Sequence, residues 1–169
     1  MGANVLSLVL YTLGIGSKKS GIRRRGFLLM LISFFLTPKQ EVVVLSSKST
    51  MRQALEKMEY HRYSAVPLID EKGKYVGTIT EGDLLWKIKN TPGLSFENTN
   101  KILLTEVPLH ITNKPGKITD RIDSLLRLAI SQNFVPVIDD KEVFIGIVKR
   151  SDIIEYCADL LEKKEGKIG

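Results

Sequence analysis

The chain has 169 residues, 43% hydrophobic and 26% charged, with a mean hydropathy of +0.01. This fits one domain or two half-sized repeats and excludes a wholly disordered, collagenous or polytopic membrane chain. The net charge of +6 resides in residues 1–40, which hold six basic residues and no acid, while the other 19 basic and 19 acidic residues cancel. A neutral main body releases few counterions on a polyanion, so nucleic acid is not expected as its partner. A single cysteine, Cys157, precludes an internal disulfide framework, and His61 and His110 show no metal-ligand spacing. The expectation is a reducing, cytoplasmic setting and no metal or cofactor.

Taken in chain order, residues 5–15 are apolar, KKSGIRRRG follows, and a second apolar run extends from Phe27 to Leu36. Each run is shorter than the roughly 20 residues a membrane-spanning helix needs. The charges follow the first run, whereas a secretory signal carries them ahead of it. Residues 1–33 therefore read as an extension outside the core. Three readings stand: sequence upstream of a start at Met30, weak contact of residues 1–36 with a membrane surface, or packing against the domain or a partner.

Val42–Leu45 and, later, Leu109–Ile111 read as short β runs. Thr50 and Gln53 offer a capping box ahead of Met51, Ala54, Leu55 and Met58 at helical spacing. Ile118, Ile122, Leu125, Leu126 and Ala129 repeat that spacing. Strands follow at Ala65–Ile69 and Tyr75–Thr80, and again at Phe134–Ile138 and Val143–Val148, with closing helices at about 81–89 and 150–163. Asn90-Thr91-Pro92-Gly93 stops the first closing helix, and Ser95–Asn98 can cap a connecting helix over Lys101–Leu104. Repeat 1 is thus expected over 34–94, with the linker helix, repeat 2 and a C-terminal helix over 95–169.

The repeat itself is visible without gaps. SAVPLIDEKGKYVGTITEGDLL (64–85) aligns on NFVPVIDDKEVFIGIVKRSDII (133–154) at an offset of 69 residues. Identities include Val66/Val135, Pro67/Pro136, Asp70/Asp139, Gly77/Gly146 and Asp83/Asp152. A fixed period means one supersecondary unit used twice, each copy too small to bury its apolar face alone. The expected fold is α+β, two βαββα units packed about a pseudo-twofold axis.

Two units that each carry h-P-h-h-D and then G-h-h-(T/S)-x-x-D resemble a pair of CBS motifs, the tandem called a Bateman module. YSAVPLID, the linker ending LLTEVPLHI and SQNFVPVIDDKEVFIGI further resemble small stand-alone CBS-pair proteins that bind cyclic di-AMP. The resemblance implies two clefts between the repeats, each able to hold an adenosine nucleotide. Carried over by position, the first would use Val43, Tyr63, Ser64 and Ala65 with Lys149, Arg150 and Asp152. The second would use Ile111, Asn133 and Phe134 with Thr80 and Asp83. It also implies a homodimer, for which Trp86 and the 150–163 helix are candidate contacts, and a regulated protein partner that the sequence does not identify.

The residue chemistry suits recognition. An acidic side chain accepts hydrogen bonds from ribose hydroxyls, which fits Asp83 and Asp152; a helix start favours phosphate, which fits Thr80, Lys149 and Arg150. Each has a plainer reading beside it. Thr80-x-x-Asp83 is also a capping box that needs no ligand. Tyr63 either stacks on adenine or packs at a domain edge, and Phe134, standing where repeat 1 has Ala65, either joins the core or narrows the second cleft. His61 and Arg62 read as solvated turn residues, and Glu155, Asp159, Glu162, Lys163 and Lys164 as a solvated helix face. Cys157 lies among apolar neighbours and reads as an inert buried thiol. No phosphate loop, dinucleotide fingerprint, zinc motif or nucleophile elbow is present, so an enzyme is not expected. The function expected is a regulatory sensor of AMP, ADP, ATP or cyclic di-AMP; the alternative is a ligand-free scaffold tethered by its N-terminus to a membrane surface.

Overall fold

The computed structural model describes residues 34–111, 113–120 and 122–165, with the side chains of Ile122, Asp123, Cys157 and 159–165 outside that description. The N-terminal extension, the Cys157 thiol, the place of Ile122 in its helical stripe and the solvated face from Asp159 to Lys164 therefore lie outside the described residues.

Among the described residues seven strands and four α-helices follow one another: β1 (Leu36–Pro38), β2 (Leu45–Ser46), α1 (Met51–His61), β3 (Ala65–Ile69), β4 (Tyr75–Thr80) and α2 (Glu81–Asn90). The second unit has β5 (Gly116–Lys117), α3 (Ile122–Ser131), β6 (Phe134–Ile138), β7 (Phe144–Lys149) and α4 (Arg150–Glu165). Short 3-10 turns at Phe96–Lys101 and Leu104–Glu106 form the linker. One sheet runs β2-β3-β4 and the other β1-β7-β6-β5.

Each helix forms where its stripe meets its own sheet. Met51, Ala54 and Met58 of α1 are buried with Val66, Leu68, Ile79 and Leu84; Leu125, Leu126 and Ala129 of α3 are buried with Val135, Val137 and Val148. The Thr50/Gln53 box caps α1 as expected, Gln53 N–H donating to the Thr50 hydroxyl and Thr50 N–H to the Gln53 amide oxygen at 2.9 Å. The repeated Asp70 and Asp139 are turn residues: each carboxylate accepts two backbone N–H groups of its hairpin, Lys72 and Lys74 in one, Lys141 and Val143 in the other. The two hairpin turns meet, with Phe144 N–H on the Gly73 carbonyl at 2.9 Å and Lys74 Nζ 2.8 Å from Glu142.

Three expectations are corrected. In Val42–Leu45 only Leu45 enters a strand, because Val42 and Val44 turn into the inter-repeat cluster of Phe134, Phe144 and Ile147. Leu109–Ile111 is no strand; the second unit's first strand is Gly116–Lys117, parallel to β6, and the His110 N–H that a ladder would use goes to Asp83. Ser95 and Asn98 do form a cap, at 2.9 Å, but the turn they start is Phe96–Lys101 rather than 101–104.

The chain is also interleaved. β1, at the start of the first unit in sequence, pairs antiparallel with β7 of the second, Leu36 opposite Val148 and Pro38 opposite Gly146. Phe35 is buried in the second unit's core, while Leu104 and Val107 of the linker are buried in the first unit's.

Candidate functional site

Two hollows lie where the units face one another. The first, about 360 Å³, has an apolar wall of Val42, Val43, Ala65, Pro67, Phe134 and Ile147. Tyr63, Lys149 and Ser151 add polar groups to it, as do Thr37, Glu41 and Asn133. The second, about 350 Å³, shares Ala65, Asn133 and Phe134 with the first. Ser64, Thr78, Thr80, Asn113 and Gln132 line it, with Ile111 and Glu81. Both volumes fall in the range of small-molecule sites, roughly 300–1,000 Å³. A third hollow of about 470 Å³, bounded by Leu55, Met58, Arg62 and Phe96, belongs to the first unit alone.

The duplicated strand-to-helix junction positions these groups. Strand alternation sends every second side chain of β4 and β7 to one side, so Thr78 and Thr80 line one cleft and Ile147 and Lys149 the other, each pair 69 residues from its counterpart. Gly82 and Ser151 continue the series at the helix starts. Matching hydrogen bonds fix both junctions, Glu81 N–H to the Ser64 carbonyl at 3.1 Å and Arg150 N–H to the Asn133 carbonyl at 3.0 Å.

Of the expected first-cleft residues, Val43, Tyr63, Ala65 and Lys149 line the first hollow, while Ser64 lines the second. Arg150 does not line it; its guanidinium donates to Asn133 Oδ1 at 2.6 Å and so buttresses a residue common to both clefts. Asp152 does not line it either; it is half-buried beside Ser151, a lining residue whose hydroxyl donates to it at 3.0 Å. Tyr63 is 47% exposed and stacks on His61 with ring centres 5.6 Å apart. Of the expected second-cleft residues, Thr80, Ile111, Asn133 and Phe134 line the second hollow.

Asp83 does not. It is 1% exposed and closes the capping box of α2, accepting from Thr80 N–H at 2.9 Å, while its own N–H donates to the Thr80 hydroxyl at 3.1 Å. Burial pushes the Asp83 carboxyl up. Hydrogen bonds from the Thr80 hydroxyl, from His110 and from Thr80 N–H outweigh burial and hold it below the usual carboxylate range.

Phe134 is 8% exposed in the inter-repeat cluster and lines both hollows. It does not leave the second cleft smaller, since the two volumes are nearly equal. Trp86 is no core residue; it is 42% exposed, with Lys89 Nζ 5.0 Å from its ring centre.

The sequence reading missed Ser151, Ile147 and Thr78, which strand alternation from Lys149 and Thr80 would have found. It missed Thr37 and Glu41 because no local signal links them to a strand over a hundred residues away. Among the described residues no group of three or more His, Cys, Asp or Glu is placed to hold a metal, and no helix is long and apolar enough to cross a membrane.

The chain is 27% identical over 152 residues to the CBS domain-containing protein CBSX1, chloroplastic, of Arabidopsis thaliana, covering 75% of this chain and 63% of that protein. It thus spans just under two thirds of that relative's length. Among solved structures, CbpB in complex with c-di-AMP matches with a TM-score of 0.72 at 23% identity, covering 84% of this chain and 93% of that one. CBSX2 in complex with AMP matches with a TM-score of 0.61 at 21% identity, covering 76% of this chain and 96% of that one. At such identities the likeness is one of fold. A family model for the CBS domain matches residues 35–90 and 117–159, the two units that wall the clefts and more than half of the sequence, and the chain belongs to the CBS domain family.

Proposed function

We propose that the protein is a regulatory adenine-nucleotide sensor whose ligand binds in the first cleft and alters the fit of the two units. The observation that carries this reading is that cleft's composition: a wall of apolar side chains contributed by both units, ending at Lys149 and Ser151 where α4 begins. The flat apolar region between Val43, Pro67 and Tyr63 suits a base. The partly buried carboxylate of Asp152, just beyond Ser151, suits ribose hydroxyls, and Lys149 with the free N–H groups of the helix start suits phosphate. CbpB with c-di-AMP and CBSX2 with AMP are fold relatives that hold adenine nucleotides, which supports the same ligand class here.

A ligand touching both units shifts their equilibrium only by its differential affinity for two arrangements. The readout belongs to a protein partner. Leu85 and Trp86 of α2 and Ile154 of α4 are exposed apolar side chains suited to a homodimer contact; the duty of residues 1–36 is a separate question that the clefts do not bear on.

The test is isothermal titration calorimetry of the full chain against AMP, ADP, ATP and cyclic di-AMP, with GTP as control. Micromolar or tighter binding of one adenine ligand, weakened roughly tenfold by Lys149→Ala through loss of a charge-assisted contact, is expected. Absence of binding to folded protein refutes the sensor and leaves the ligand-free scaffold.

A further inference from the structure

The clefts have nearly equal volumes but different chemistry, and the difference centres on one histidine. Asp83 and Asp152 occupy equivalent positions, 69 residues apart. An ionised carboxylate has about four lone-pair directions with which to accept hydrogen bonds. In Asp83 all are engaged. Oδ2 accepts from Thr80 N–H at 2.9 Å and from the Thr80 hydroxyl at 2.7 Å. Oδ1 accepts from His110 N–H at 2.9 Å and, with the proton on Nδ1, from the His110 ring at 3.0 Å. At 1% exposure the group has no acceptor to offer a ligand hydroxyl.

Asp152 is in the opposite condition. It is half-buried, and among the described residues its carboxylate accepts one hydrogen bond, from Ser151. The linings differ as well: each cleft has one glutamate, Glu41 in the first and Glu81 in the second, but only the first has a cation among its described lining residues, Lys149.

The His110 ring is held at Asp83 from the solvent side. Its side chain is 56% exposed, so leaving Asp83 unpacks no core. It is followed by Ile111, which lines the second cleft, and the hydroxyl of Thr80, another lining residue, is bonded to the same carboxylate. A ring that swings away frees one lone pair of Asp83, whose other oxygen holds the hydroxyl of the lining residue Thr80.

We infer that His110 controls the order in which the clefts fill. Seated on Asp83, it withholds the acceptor that a ribose diol needs, so an adenosine ligand occupies the first cleft and enters the second only as His110 departs. This rests on the sensor reading above and adds to it an order and a residue that sets it.

The experiment is calorimetric titration of the full chain with AMP and with cyclic di-AMP, using wild type, His110→Ala and His110→Asn, each verified as folded by its thermal transition. For AMP, wild type takes one molecule per chain, with the second site at least roughly tenfold weaker, the worth of a charged hydrogen bond. His110→Ala raises the count toward two. His110→Asn, whose amide N–H can replace Nδ1–H, stays near one. Two equal sites in wild type, or an unmoved count in His110→Ala, overturn the inference while leaving the sensor intact. An Asn variant that behaves like Ala overturns the hydrogen-bond argument. Failure of all three folded proteins to bind either nucleotide overturns the inference, and the sensor falls with it when ADP and ATP also fail to bind.

Discussion

Gly146→Ala and Gly77→Ala form a matched pair, because the two glycines are equivalent in the repeat but face different neighbours. A Cβ on Gly146 would be driven into the backbone carbonyl of Thr37, which cannot move without displacing β1. A Cβ on Gly77 would meet only Cδ1 of Leu109, the far end of a flexible, 36% exposed side chain. Displacing β1 removes a three-residue pairing and draws Phe35, 6% exposed and 5.3 Å from Tyr156 ring to ring, out of the second core. Burial of a phenylalanine contributes roughly 1.5–3 kcal/mol and each ladder bond about 1 kcal/mol, so Gly146→Ala should cost about 2–4 kcal/mol. For a chain of this size that lowers Tm by roughly 4–16 °C. Gly77→Ala should stay within about 1 kcal/mol of wild type, since the lower entropy of an unfolded alanine offsets a small shift of Leu109. Thermal and urea denaturation followed by circular dichroism measures both. Equal costs for the two substitutions would refute the claim that β1 is held as a strand of the second sheet.

Asp83 is held below the ordinary carboxylate pKa, so its contribution to stability is complete above the unfolded value of about 3.9 and is lost as pH falls through the folded value. Wild-type Tm should therefore drop more steeply below about pH 4 than that of Asp83→Asn, and parallel profiles would contradict this. Tyr75 is half-buried, its hydroxyl 2.8 Å from the Thr78 hydroxyl and 3.0 Å from the Asn113 carbonyl, and this desolvation raises its pKa to about 12. In an ultraviolet titration Tyr75→Phe should remove the last tyrosine to ionise and lower stability by about 1 kcal/mol; loss of an early-ionising phase instead would place Tyr75 in solvent.

Local signals carried most of the fold. The offset of 69 residues announced two copies, and within each the helical stripe, the paired β runs and the caps at Thr50 and Thr80 are short-range patterns that the structure realises. What escaped is non-local. Leu36–Pro38 has three residues and no periodicity to read, and its partner β7 begins at Phe144. Leu109–Ile111 has β-forming composition, but composition does not say which acceptor takes the His110 N–H; Asp83 does, and the ladder fails to form. The site divides in the same way. Lys149, Thr80 and Ala65 follow from the family resemblance laid onto the repeat, whereas His110 gave no signal, because its significance comes from a carboxylate 27 residues earlier that only the folded linker brings to it.

Pseudo-symmetry in a chain with unlike halves also ties the clefts together. Ala65 and Phe134 are equivalent positions, one small and one large, and both line both clefts. Asn133 does as well, with Arg150 bonded to its side chain and its carbonyl. A close-packed wall transmits displacement rather than absorbing it. A base pressed against Phe134 from the first cleft therefore acts on the same ring that bounds the second, and on the Phe144 and Ile147 packing behind it. On the sensor reading proposed above, two clefts that share a wall do not fill independently, and a ligand that enters the first, beside Lys149 and Ser151, pushes that wall before the second is filled.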